Sequence, residues 1–142
     1  MVLDFQGNVV SVIQVIALIL LIIGIYPYRI RAKNRNLIIH GFLSIFALGL
    51  NLATIISVMI PILSSRISYI SGLPILQSTI VWLHVASGTV AVLLGFAIIV
   101  PWLLHPLGEL GCSKAWRLMK PTFLIWALAL VLGLTIHIFN IA

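Results

Sequence analysis

Charge is what this sequence has least of. Of its 142 residues only 7% are charged, and acids are nearly missing, with two Asp+Glu against eight Lys+Arg. Soluble domains carry roughly 25% charged residues, so a water-soluble globular protein is excluded. The two acids, Asp4 and Glu109, lie outside the long apolar runs. That removes the usual apparatus of ion-coupled transport and intramembrane charge relay. Cysteine occurs once, as Cys112, so no intramolecular disulfide can form and a reduced thiol is expected. No stretch brings together a nucleophile, a base and an orienting group, and the chain is read as non-enzymatic. The formal charge of +6 has no soluble face to display it, which argues against a nucleic-acid partner.

What is present is hydrophobic: 63% of the chain. Four apolar runs, about 9–26, 37–60, 76–103 and 122–141, match the length of roughly 20 residues that crosses a bilayer as a helix. Unbroken Ile/Leu/Val runs do not alternate as the strands of a membrane barrel must. The fold expected is an all-α, integral-membrane, antiparallel four-helix bundle in a single domain. Pro27 and Pro61 are expected to close the first and second spans, Pro101 to sit near the end of the third, and Pro121 to occupy the first turn of the fourth. Seven of the eight basic residues fall in the first and third connectors, Arg29, Arg31, Lys33, Arg35, Lys114, Arg117 and Lys120, with Arg66 alone in the second. The positive-inside rule then predicts a multi-pass cell-membrane protein with cytoplasmic basic loops and both termini outside. The segment before the first span lacks a basic region, so that helix is expected to be retained.

At about 100° per residue, each later helix gathers its polar and small residues on one face. His40, Ser44, Ala47, Asn51 and Thr54 share a stripe on the second; Gln77, His84, Gly88, Ala91, Gly95 and Trp102 on the third; Met119, Trp126, Leu130, Gly133, His137 and Asn140 on the fourth. Such faces belong in the bundle interior. His84 and His137 fall at similar depth in the outer half, with Asn51 and Gln14 near that level. Two imidazoles from different helices, with Gly88 and Gly133 making room for a porphyrin and Trp126 packing on it, are the means by which a bundle holds haem b. The plainer role for these histidines is hydrogen bonding between helices. His40 and Cys112 are lesser candidate metal ligands, Cys112 together with Met119; a headgroup-contacting histidine and an ordinary thiol are the simpler roles. His105, just before Pro106, reads as an interfacial anchor, as do Tyr26, Tyr28, Trp102 and Trp116 at the inner boundary and Tyr69 and Trp82 at the outer one.

The first span ends in a basic run. His40 and Gly41 then lead to Asn51 and to Met59, Ile60 and Pro61; His84 follows with Gly88 and Gly95; and Cys112, Lys114 and Met119 precede Trp126, Leu132 and Gly133. This succession, covering nearly the whole chain, resembles the small four-helix membrane proteins of the domain-of-unknown-function 420 family. The resemblance implies an accessory or assembly protein of a respiratory complex, since members in bacilli are associated with maturation of haem-containing cytochrome oxidase. It implies His40 and His84 as the matching histidines; His137 stands where the family pattern has an aromatic residue. The function expected is a multi-pass accessory or assembly protein of a membrane redox complex that handles haem. Its expected partners are the lipid bilayer and other membrane subunits of that complex. A cytochrome b-like bis-histidine electron carrier or quinone-interacting subunit is the alternative, and a purely structural subunit the third.

Overall fold

The computed structural model describes residues 2–29, 34–104 and 109–139, with side chains described for 7–24, 38–104 and 117–139. His105, Asn140 and the side chains of Cys112, Tyr26, Tyr28 and Trp116 lie outside the described residues. Helix α1 runs Val2–Arg29, α2 Asn34–Thr54, α3 Ile60–Ser71, α4 Ile75–Leu104 and α5 Glu109–Ile138, and a π-helical segment, Ile55–Met59, joins α2 to α3. Four helical rods are long and apolar enough to cross a membrane. α1 packs most extensively on α2 and α4 on α5, so the molecule is two helical hairpins laid together through thinner α2–α4 and α1–α5 contacts.

The rods outrun the expected spans, and each proline shows why. Pro61 does not close the second span; the rod continues to Ser71. A proline removes one helical N–H and drives its ring at the carbonyl four residues back, here that of Ser57. The chain widens just there: the Ile60 N–H reaches back five residues to the Ile55 carbonyl, and the looser π turn admits the ring. Arg66 therefore sits on α3, while the connector to α4 shrinks to the turn at Gly72, Leu73 and Pro74. Pro27 likewise fails to end α1, which persists to Arg29. Pro121 lies deep inside α5, whose start at Glu109 makes the expected basic connector helical. Membrane helices tolerate such prolines when hydroxyls bond nearby backbone, and the Thr122 hydroxyl donates to the Leu118 carbonyl at 2.6 Å.

Small residues let the rods approach. Ala17, Ala47 and Ala91 are buried with Leu48 and Trp126 in the central cluster, the alanines bringing backbones close where lipid supplies no hydrophobic drive between helices. α3 folds onto the start of α4 through Ile70 and Val81, with Leu63, Leu73, Ile80 and Ile136 against them. Large apolar side chains such as Phe42, Phe46, Leu93 and Leu124 point outward, as befits surfaces that face acyl chains. The stripes read from the sequence do face inward: Asn51, Thr54, Ala91, Gly95, Trp102 and Trp126 are buried, and His40, His84, Gly133 and His137 half-buried.

Candidate functional site

Polar groups sort by level along the bundle. The basic end holds the end of α1 and the starts of α2 and α5; the terminal end holds the start of α1 and the end of α5. Between the middle and the terminal end, Gln14 of α1 donates through Nε2 to Oδ1 of Asn51 at 2.8 Å and to Oγ1 of Thr54 at 2.7 Å. The Thr54 hydroxyl in turn donates to the backbone carbonyl of Asn51 at 2.8 Å. This network ties α1 to α2 just before the π segment. Asn51 is thus engaged in helix association.

Each described histidine sits against a glycine of another helix. His84 bonds through Nδ1 to the Ala129 carbonyl at 2.8 Å, and a Cβ placed on Gly133 would lie 2.9 Å from its Cε1. His137 donates from Nε2 to Oδ1 of Asn8 at 3.0 Å, and a Cβ on Gly7 would lie 2.7 Å from its Nδ1. His40 bonds through Nδ1 to the Gly24 carbonyl at 2.8 Å, and Gly24 lies beneath its ring. Trp102 completes the set: a Cβ on Gly41 would fall 2.1 Å from its Cζ2. Four rings in four glycine notches thus join α4 to α5, α5 to α1, α1 to α2 and α2 to α4.

This changes the meaning of the outer pair. The expected space beside Gly133 is filled by the His84 ring itself, so this glycine makes room for an imidazole and none for a porphyrin. His137 turns its ring to α1. Gly88 has nothing within 4 Å of a built Cβ, hence no ring rests on it. The structure does not assemble His84, Gly88, Gly133 and His137 around a common ligand space, and Trp126 belongs to the central cluster. Among the described residues no group of three or more His, Cys, Asp or Glu could hold a metal ion.

A cavity lies at the other level. It measures about 380 Å³ and opens between the hairpins in the basic half. Its walls come from Leu21 of α1, Leu48 of α2, Ile98 and Ile99 of α4, and Phe123 and Trp126 of α5, with His40, Ser44, Met119 and Lys120 among its lining. The volume falls in the range of small-molecule sites, which are mostly apolar with a few placed polar groups. A carbonyl can only accept, so Nδ1 of His40 carries the proton toward Gly24. That is the arrangement by which ligating imidazoles are oriented. The Ser44 hydroxyl bonds back to the His40 carbonyl at 2.9 Å, leaving the apolar character of the wall intact.

Compared with models of known protein families, with curated proteins and with solved structures, the chain matches none. The meaning of the site therefore comes from its own residues. Sequence reasoning put His40 and Met119 on inward faces but could not join them, since they belong to different hairpins. Lys120 was assigned to a connector, and its place at the cavity follows only from α5 starting early. Trp102 is 7% exposed and seated on Gly41, so it is no interfacial anchor, whereas Tyr69 and Trp82 are exposed. A glycine on the partner helix facing each inward ring was the available signal, but facing requires the tertiary arrangement.

Proposed function

We propose that this chain is a non-enzymatic, multi-pass accessory or assembly protein of a membrane redox complex. Haem is held in the basic-half cavity, and the space between His84 and His137 has no part in it. The observation that carries the reading is the set of residues lining this cavity. The cavity is lined by the Met119 thioether, by the flat rings of Phe123 and Trp126 and by the His40 imidazole, which is already engaged within the protein. His and Met are known ligands of haem iron, and His40 and Met119 would hold it. When bound, the iron supplies one-electron chemistry. The chain's own part is to bind, orient and keep water from the ring. The resemblance to haem-oxidase maturation proteins points the same way.

The test is a titration of the purified protein with haemin in detergent, followed by absorbance. A saturable Soret shift is expected, weakened at least about tenfold by His40→Ala and by Met119→Leu, the scale of one lost coordinating or charged contact, and retained in His84→Ala. Absence of a saturable shift, or its loss only in His84→Ala and His137→Ala, would overturn the reading. Co-purification with haem-containing membrane subunits is expected for the accessory role.

The histidine seats favour a second reading, in which the chain is a structural subunit and every imidazole serves packing. The same titration separates the two.

A further inference from the structure

The cavity is open to one side. At about 100° per residue, Met119, Phe123 and Trp126 share the inner face of α5, while Arg117, Lys120 and Leu124 lie together on its neighbouring flank and are exposed. Leu124 is 67% exposed and yet lines the cavity, so the space reaches the surface beside it. The opposite flank of α5 carries Ala129 and Gly133, which meet His84 of α4. The open flank is therefore turned away from α4 and toward α1, whose Leu21 also lines the space. At the terminal end the same two helices are pinned, His137 seated on Gly7 and bonded to Asn8. The mouth thus lies in the basic half of the α1–α5 seam.

What fills such a space follows from its walls. Of their polar side chains, His40 bonds the Gly24 carbonyl, Ser44 the His40 carbonyl and Thr122 the Leu118 carbonyl. A buried water needs about 2–4 polar partners, and walls so committed offer it little. An empty space forfeits the dispersion contacts of its lining. Hydrocarbon at the mouth can make those contacts, and about 380 Å³ admits on the order of ten methylenes, each needing much the same room as a liquid water. The open flank of α5 continues the match beyond the mouth. Toward the basic end Leu124 is followed one turn on by Lys120 and another turn on by Arg117, an apolar stretch and then two cations.

We propose that this cavity is a lipid site. In the bilayer one acyl chain of an anionic phospholipid, from the leaflet at the basic end, enters between α1 and α5. The chain lies against Phe123 and Trp126, and its headgroup stays outside at Arg117 and Lys120, as basic side chains at a membrane surface attract anionic lipid. The lipid occupies the space when haem does not, so the inference goes beyond the haem reading and does not rest on it.

Trp126 supplies the readout, since it lines the cavity but is only 5% exposed and so is shielded from lipid around the bundle. The full chain is reconstituted in phosphatidylcholine vesicles containing phosphatidylglycerol brominated at mid-chain, bromine being a contact quencher of indole fluorescence. The Trp126 component is the difference in emission between the parent and Trp126→Phe. It is expected to be quenched, with saturation while the brominated lipid is still the minor component. Ser44→Phe, which puts a ring into the cavity, should abolish that quenching. Ser44→Leu, a smaller plug, should weaken it and keeps the test decisive if the phenylalanine prevents folding. Arg117→Gln should raise the half-saturating fraction about fivefold, the effect of one cation near an anionic surface. Trp126 emission that brominated lipid leaves unchanged, or quenching indifferent to both Ser44 variants, would overturn the site. Equal quenching by brominated phosphatidylcholine would overturn its anionic headgroup. Haemin is absent throughout, so failure here leaves the haemin titration untouched, and failure of that titration leaves this result standing.

Discussion

The two halves of this bundle use the same kinds of residue differently. Toward the terminal end, polarity is consumed by packing: Gln14 is spent on Asn51 and Thr54, His84 on Ala129 and His137 on Asn8. Toward the basic end, one imidazole is again tied to backbone, His40 to Gly24, yet it also borders about 380 Å³ of open space. A membrane histidine is therefore uninformative by itself. What would distinguish a seat from a site is a cavity adjoining the ring, and His40 has one beside it.

Glycine substitutions test whether the rings are true knobs. Gly41→Ala should be the most damaging, because the added carbon would lie 2.1 Å from the rigid, buried Trp102 ring. Overpacking of this kind costs about 1–3 kcal/mol or more, read as a fall in the unfolding midpoint in detergent. Gly133→Ala follows, at about 1–2 kcal/mol: the clash with His84 is 2.9 Å, and relief by moving the ring breaks its bond to Ala129. Gly7→Ala should cost less, although its 2.7 Å contact is shorter, since His137 and Asn8 sit at the exposed end and the imidazole can swing aside. Gly133→Ala more harmful than Gly41→Ala would mean that Trp102 does not pin the hairpins.

Removing the network at the middle should have a smaller effect. Gln14→Leu deletes both bonds from α1, and interhelical hydrogen bonds in membranes average about 0.6 kcal/mol with a maximum near 1.7. A loss of about 1 kcal/mol is expected in unfolding, with haemin affinity unchanged, because Gln14 does not line the cavity. A change in affinity would show that the two halves are coupled through α1 and α2.

Much of the fold was legible because hydrophobic length and helical periodicity are local. The four spans and their inward stripes could be read residue by residue, from His40 to Thr54 or from Met119 to His137. The helix ends could not. Proline signals stop a helix in water, but in an apolar setting the backbone has no better partner than itself, so Pro61 is absorbed by a π turn and Pro121 by a helix already under way. The site was legible only in part, for the same reason that facing differs from meeting. Depth placed His84 level with His137, but the rotation of each rod against its neighbour turns one ring to α5 and the other to α1. The cavity is a property of two hairpins that fit closely at one level and less closely at another, and no single stripe contains it.

The smallest effects should come from Gly49 and Gly88, which have nothing within 4 Å of a built Cβ. With no neighbour to displace, Gly49→Ala and Gly88→Ala gain only helix propensity, up to about 1 kcal/mol, and the unfolding midpoint should hold or rise slightly. These two positions control for the ring seats, since the same chemical change is made where no ring waits. A loss at Gly88 approaching that at Gly41 would mean that a second surface covers this face of α4 in the membrane, another copy or another subunit. Repeating the measurement across a dilution series would separate that case, because a stability loss caused by a broken interface depends on protein concentration and one caused by an intramolecular clash does not.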